Sequence, residues 1–459
     1  VKSFLSYIAL SIPVANLSTT SIFAGMQQNK KQEKIGWVTA AAIVVASMIG
    51  TGVFTSLGFQ LVDTQNTWSI IMLWSLGAVV AICGALSYAE LGTHLTRSGG
   101  EYHFISEMYN PTLGYLSGWV SITVAFAGSV ALAAMALGAY TSAYVGIPAK
   151  IIAVGIVVLI SFLHTINLNT SSQLQNWTTA LKLLLIIGFI VAGFSFPVEE
   201  NSFNWSSSWQ EEIWLPAFAV SFVYVTYSYT GWNTAAYIAE EIDDVQKNLP
   251  IALLVGTLIV SVLYILLNIV FLRQSPLPSL IGQVEIGQVV ATDMVGDNGA
   301  IIISLVIGAM LVSTISAMIW VAPRVVQVMA EDHSIWRWLR IRESQSIPRK
   351  ALWFQAAITL TLILTGTFEQ ILIYSGFILQ LVSALAVSAV FILRRRTKQT
   401  QRKGFRSPFF PIPQYIFLAV SIWACLYLLF SQPLATGFGL LNLIVGWGTL
   451  KWSKWMERQ

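Results

Sequence analysis

Ile49-Gly50-Thr51-Gly52-Val53-Phe54 and Tyr229-Thr230-Gly231-Trp232-Asn233 are short glycine-bearing breaks inside otherwise apolar stretches. Backbone that leaves helical geometry at membrane depth exposes amide and carbonyl groups, which is tolerable only where they line a cavity or meet a ligand. The two breaks are therefore the first candidates for a binding site. Gly50 and Thr230 lie 180 residues apart. Each falls in the first helix of what reads as a five-helix half, the pattern of an inverted repeat with its site near the bilayer midplane. The alternative for Gly50-Thr51-Gly52 is a close helix-packing point.

Composition sets the class. Of 459 residues 56% are hydrophobic and only 10% charged, with a mean hydropathy of +0.70, which excludes an ordinary soluble domain. A helical crossing needs about 20 apolar residues. The sequence predicts an all-α polytopic membrane protein with twelve transmembrane helices: Gly36–Gln60, Trp68–Ala89, Thr112–Val145, Ile147–Leu163, Trp177–Phe196, Trp214–Ala239, Ile251–Leu272, Ile301–Ala322, Ala351–Gly366, Ile371–Leu393, Tyr415–Phe430 and Leu434–Trp452. Residues 36–197 and 214–394 form the two halves, and 413–455 hold helices 11 and 12.

Basic residues are retained on the cytoplasmic side. With the amino terminus inside, all of the 25 Lys and Arg except Lys2, Lys150, Lys182 and Arg273 fall in cytoplasmic joins, so both termini are expected in the cytoplasm. Residues 1–35 read as a cytoplasmic segment, of which 1–25 form a leader that carries no function: Lys2 followed by apolar Phe4 to Val14 resembles a weak signal peptide, and Met26 precedes the basic stretch that opens helix 1. The run from Arg394 to Arg406 reads as a solvated loop beside anionic lipid and not as a nucleic-acid patch.

Cys83 and Cys425 sit within predicted helices, and His94, His103, His164 and His333 are scattered without metal-ligand spacing. There is no phosphate-binding glycine loop of the Walker A type. No metal, cofactor or ATP hydrolysis is expected. At each break, the amides opening the second half-helix, backed by its positive dipole end, suit a carboxylate, and the carbonyls closing the first suit an ammonium. Lys182 is a lone charge within helix 5; intramembrane ammonium groups usually face the protein interior with a partner, although a long stem can also reach the interface. Glu101, Glu107, Glu240, Glu241, Asp243 and Asp244 read first as solvated helix ends and loops. With no acid deep in helices 1, 3, 6, 8 or 10, an apolar pocket of Phe126, Ala127, Gly128, Ile315 and Ala317 is expected.

Ser47 to Phe54, Arg97-Ser98-Gly99-Gly100-Glu101-Tyr102, and Tyr229 to Asn233 continuing through Glu240-Glu241 to Asn248-Leu249-Pro250 resemble the amino acid, polyamine and organocation transporters, above all the L-type amino acid branch and its prokaryotic relatives. The resemblance implies a five-plus-five inverted (LeuT-like) fold with helices 1 and 6 unwound. It implies that Ile49, Gly50, Thr51 and Gly52 contact the carboxylate and amine of an amino acid, and that Tyr229, Thr230 and Gly231 add backbone contacts. Tyr227 would gate the site, with Trp232 and Asn233 in the unwound segment; packing for Tyr227 and helix capping for Asn233 are the alternatives. Lys182, with Ser313 or Ser316, would replace the sodium ion of coupled relatives, and Arg97 or Arg324 would pair with the acids near Glu240 to close a cytoplasmic gate. The implied activity is sodium-independent carriage of neutral L-amino acids, as exchanger or proton symporter, with polyamines or cationic amino acids as the runner-up substrates. The join Ala143–Lys150 lacks the cysteine that animal relatives use for an accessory glycoprotein, so no disulfide-linked heavy subunit is expected. An enzyme would need acid, base or metal groups converging at one depth, and a channel would need repeated pore-lining polar residues.

Overall fold

The computed structural model describes residues 34–166, 171–198, 203–340, 349–396 and 404–458. The leader 1–25, Lys30, Lys31 and the basic positions within 341–348 and 397–403 lie outside the described residues, as does the side chain of Arg324.

The element order is all helical. Helix α1 (Trp37–Met48) and α2 (Gly52–Gln60) are separated by the first break, followed by α3 (Thr67–His94) and the short α4 (Glu101–Met108). Next come α5 (Pro111–Val120), a π turn (Ser121–Phe126), α6 (Ala127–Val145), α7 (Ala149–Ile166) and α8 (Ser171–Ser195). Helix α9 (Trp209–Glu212) precedes α10 (Pro216–Ser228), which ends at the second break and is followed by a 3₁₀ segment (Thr234–Glu241). The remainder is α11 (Val245–Gln274), α12 (Leu277–Leu280), α13 (Ile286–Asp332, bent at Gly296), a 3₁₀ turn (Ser334–Leu339), α14 (Arg349–Thr365), α15 (Phe368–Arg396), α16 (Ile412–Ser431) and α17 (Pro433–Met456).

Local chemistry accounts for the ends. Asn66 caps α3 by accepting the Trp68 amide at 2.9 Å, and Asn110 caps α5 by accepting that of Leu113, with Pro111 at the first helical position. The apolar pattern predicts that helix 6 resumes after its break and runs to Ala239. Instead Thr230 and Thr234 each turn a hydroxyl back to the carbonyl three residues earlier, at 2.7 Å, and the chain winds as a tighter 3₁₀ segment.

Among the described residues, eight helical runs are long and apolar enough to cross a bilayer: Trp37–Gln60, Thr67–His94, Pro111–Val145, Val245–Gln274, Ile286–Asp332, Phe368–Arg396, Ile412–Ser431 and Pro433–Met456; Ala149–Thr165 and Thr179–Ser195 are shorter apolar helices. Helix α11 packs against α3 and α1, whereas α6 packs against α13, α7 and α14. The small residues of α6 allow close approach: a Cβ on Gly138 would sit 2.3 Å from the Ala149 carbonyl oxygen. Leu159, Phe162, Leu434 and Phe438 point outward, an arrangement suited to lipid.

One cationic loop departs from the solvated reading. Arg394 makes a two-pronged pair with Glu90 at 2.6 and 2.7 Å, donates to the Ser407 carbonyl and lies 3.8 Å over the Phe410 ring. Ser407 donates its own amide to Glu90, whose side chain is 1% exposed. Arg396 donates to the Glu107 carbonyl at 2.9 Å. The chain entering α16 is thereby clamped to the end of α3. Removing one partner strands a buried charge, a loss of about 3–5 kcal/mol. Glu90→Ala is expected to lower the melting temperature of the detergent-purified protein, with Glu90→Gln intermediate, as measured by intrinsic fluorescence during heating.

Candidate functional site

The two breaks meet. Gly231 has φ +105°, and a Cβ built on it would lie 2.7 Å from the Ser47 carbonyl carbon and oxygen, so the second break rests directly on the backbone ending α1. Gly52 approaches α10 equally closely, its Cβ position falling 2.4 Å from Ser228 Cα. Close packing, the alternative weighed for this motif, thus holds for Gly52. Gly50 differs: its nearest neighbour would be Thr314 Cγ2 at 3.6 Å, ordinary contact distance.

Unwinding leaves backbone groups to be satisfied, and α1 shows how its freed carbonyls are met. Tyr264 on α11 donates its hydroxyl to the Met48 carbonyl at 2.6 Å, and Lys182 on α8 reaches the Ile49 carbonyl at 3.4 Å. On the donor side, the amides of Thr51, Gly231, Trp232 and Asn233 enter no backbone hydrogen bond among the described residues. They surround one cavity, lined by Gly50, Thr51, Gly52, Tyr227, Thr230, Gly231, Trp232 and Asn233 together with Ser47, Phe126, Ser129 and Thr314.

Two expected contact residues stand apart from that cavity lining. Ile49 offers its carbonyl to Lys182 behind the break. Tyr229 turns its ring to Trp74 and Tyr264 and donates to the Trp74 carbonyl at 3.0 Å, anchoring the break to α3. Tyr227 lines the cavity with its hydroxyl 3.5 Å from Ser129. Trp232 lies edge-on to Tyr88, 4.7 Å between ring centres.

Lys182 is 1% exposed and does not snorkel. Helix α8 begins at Ser171, earlier than the predicted Trp177, which puts the lysine well inside it. Its side-chain partner is Thr314 at 2.8 Å, not Ser313 or Ser316; Ser316 bonds His164 at 2.9 Å, and Ser313 has no partner among the described residues. Adjacent positions on a helix point about 100° apart, and the phase of α13 is not legible from one sequence. The apolar pocket shifts likewise. Phe126 lines the cavity as expected, but Ala125, Ser129, Thr314 and Met318 take the places assigned to Ala127, Gly128, Ile315 and Ala317. Gly128 instead packs against Ser375 on α15.

Glu101 is the residue that sequence reasoning missed. Read as a solvated helix end, it is 2% exposed and lines the cavity. Its carboxylate accepts from the hydroxyl of Tyr88, from Ser383 Oγ at 3.1 Å and Asn233 Nδ2 at 3.2 Å, and through its second oxygen from Tyr237 at 3.2 Å. Burial pushes the carboxyl above its ordinary range, and these hydrogen bonds pull the other way. The only available signal is the pair of glycines before it: Gly100 has φ +53° and abuts the Tyr237 ring, which turns α4 inward. Arg97 of the same loop pairs with Asp332 at 3.2 Å, not with the acids near Glu240.

Comparison with known proteins adds independent evidence. Residues 35–450 match the amino acid permease family. The chain is 27% identical over 411 residues to the b(0,+)-type amino acid transporter 1 of Mus musculus, covering 88% of this chain and 84% of that protein. It is 26% identical over 427 residues to the serine/threonine exchanger SteT of Bacillus subtilis, covering 92% and 96%. Against the cystine/glutamate transporter of Homo sapiens the identity is 24% over 438 residues, covering 92% and 85%.

The glycine geometry yields a graded expectation. Gly52→Ala and Gly231→Ala force backbone apart, costing about 1–3 kcal/mol each, and should lower the melting temperature by several degrees. Gly50→Ala should melt with the unmodified protein.

Proposed function

The chain belongs to the amino acid permease family, membrane transporters of amino acids and not enzymes, and on that premise we propose that it carries neutral L-amino acids across the plasma membrane by alternating access. The observation that carries this reading is the paired breaks enclosing one cavity, with backbone amides left free of backbone partners around it. Such amides bind an α-carboxylate without a cationic side chain, at half-helix starts whose dipole favours negative charge. Gly50, Thr51, Gly52, Thr230 and Gly231 supply the backbone frame, Tyr227 covers the substrate, and Trp232 and Asn233 complete the wall.

The breaks head two inverted five-helix repeats, residues 36–197 and 214–394, with both chain ends in the cytoplasm. The helix packing supports a division of labour: α1 to α3, α10 and α11 move as one unit against α5 to α7, α13 and α14. The ammonium of Lys182, held between the end of α1 and Thr314, stands where a coupling cation would bridge those units. Transport is therefore independent of sodium, by exchange or with a proton. The chain works without a disulfide-linked partner subunit.

A cationic amino acid is the second reading, and Glu101 in the cavity wall supports it. Uptake of radiolabelled amino acids into proteoliposomes, preloaded or empty, separates the mechanisms. We expect uptake to be unchanged when sodium is replaced by choline, and Lys182→Ala to cut it at least about tenfold, the loss of one charge-assisted contact. Sodium-dependent uptake, or normal uptake by a correctly inserted Lys182→Ala protein, would overturn the role given to this lysine.

A further inference from the structure

The hydrogen bonds around Glu101 fix what the nearby cavity wall can offer a ligand. The Glu101 carboxyl oxygens accept from four neighbours, whose hydrogens are thereby turned toward it. Tyr88, Tyr237 and Ser383 each own a single hydroxyl hydrogen, and each points it at Glu101. Asn233 turns its amide nitrogen to the same carboxylate, which directs its carbonyl oxygen elsewhere. Four of these five residues, Glu101, Asn233, Tyr237 and Ser383, line the cavity.

Their donating capacity is largely consumed: three hydroxyl hydrogens and one of the two Asn233 amide hydrogens go to Glu101, and the hydroxyl oxygens keep their lone pairs. The hydroxyls of Thr230 and Thr234, also in the lining, are spent on the carbonyls of Tyr227 and Gly231. Backbone donors gather at the breaks, in the amides of Thr51 and of Gly231 to Asn233, which enter no backbone hydrogen bond among the described residues. The cavity thus has a donor end and an acceptor-rich end.

Resting on the reading that an amino acid binds here with its carboxylate at the breaks, we propose that the acceptor-rich wall built by Glu101 selects side chains that donate a hydrogen bond, hydroxyl or cationic nitrogen, over apolar isosteres and against side-chain carboxylates. Threonine and valine have nearly the same shape and differ in that one donor. A side-chain carboxylate brings only lone pairs to a wall of lone pairs, and leaves all of them unpaired. Glu101 acts in part directly and in part as a positioning residue, by holding the Asn233 amide in one orientation.

The test is a thermal-shift titration of the full-length protein in detergent with L-threonine, L-valine, L-glutamine and L-glutamate, followed by competition of the same four in proteoliposome uptake. Apparent Kd for threonine should be at least about tenfold below that for valine, the worth of one buried hydrogen bond, and glutamate should bind at least about tenfold more weakly than glutamine. Glu101→Gln brings an amide donor into the cluster and frees a neighbour's hydrogen, so the threonine-to-valine ratio should fall toward one while valine affinity changes little. Ser383→Ala removes one acceptor with minimal change of volume and should narrow the ratio if the Glu101 variant does not fold. Valine equal to threonine, glutamate equal to glutamine, or an unchanged ratio in the folded variants overturns the selection while leaving amino acid binding intact. The absence of a shift with any of the four overturns both readings together.

Discussion

Everything in this molecule depends on how the backbone at the end of α1 is satisfied once the helix stops. At membrane depth, carbonyls without partners are costly, and water is not there to supply them. The Tyr264 hydroxyl takes the Met48 carbonyl and the Lys182 ammonium takes that of Ile49. Both donors reach in from other helices, α11 and α8, so the break is held open by tertiary structure and not by the local sequence. That external support leaves amides on the cavity side without backbone partners. Gly231 then presses on the Ser47 carbonyl from the opposite side, tying the two interrupted helices into one junction.

The junction also organises charge. Lys182 lies behind the α1 break and Glu101 lies in the cavity wall, and neither has an oppositely charged side chain among its described hydrogen-bond partners. Each is instead solvated by neutral groups: a carbonyl and a threonine for the lysine, three hydroxyls and an amide for the glutamate. By contrast the Glu90–Arg394 pair is closed on itself, as befits a clamp between α3 and the chain entering α16.

Much of this is legible in the sequence, for identifiable reasons. Both breaks are visible because glycine inside an apolar run marks a place where the helix must open or a neighbouring backbone must come close. Several long helices fall within a few residues of their expected bounds because apolar length is a strong signal, whereas α13 runs from Ile286 to Asp332 where Ile301–Ala322 is expected and α10 ends at Ser228. Lys182 stands out because a lone charge in such a stretch needs an internal partner. Which partner it takes is not legible: Thr314, Ser313 and Ser316 differ only by helix phase, and phase is set by packing. Glu101 is hidden for a related reason. Its sequence neighbours are those of a solvent-facing turn, and only the positive φ of Gly99 and Gly100 brings α4 inward to the cavity. The local pattern favours solvent, and the tertiary arrangement overrides it.

The π turn at Ser121–Phe126 has an evolutionary consequence. A π turn is what a helix makes of one surplus residue. Before it, Trp119 reaches Asn442 on α17; after it, Ser129 faces the cavity. Loss of a single residue within this turn would restore continuous α-helix with α5 and α6 in their present registers, and would change the cavity wall only at the turn itself, where Ala125 and Phe126 line it. One-codon length changes at this place are therefore a route to an altered wall that leaves the crowded backbone contacts of Gly52 and Gly231 untouched.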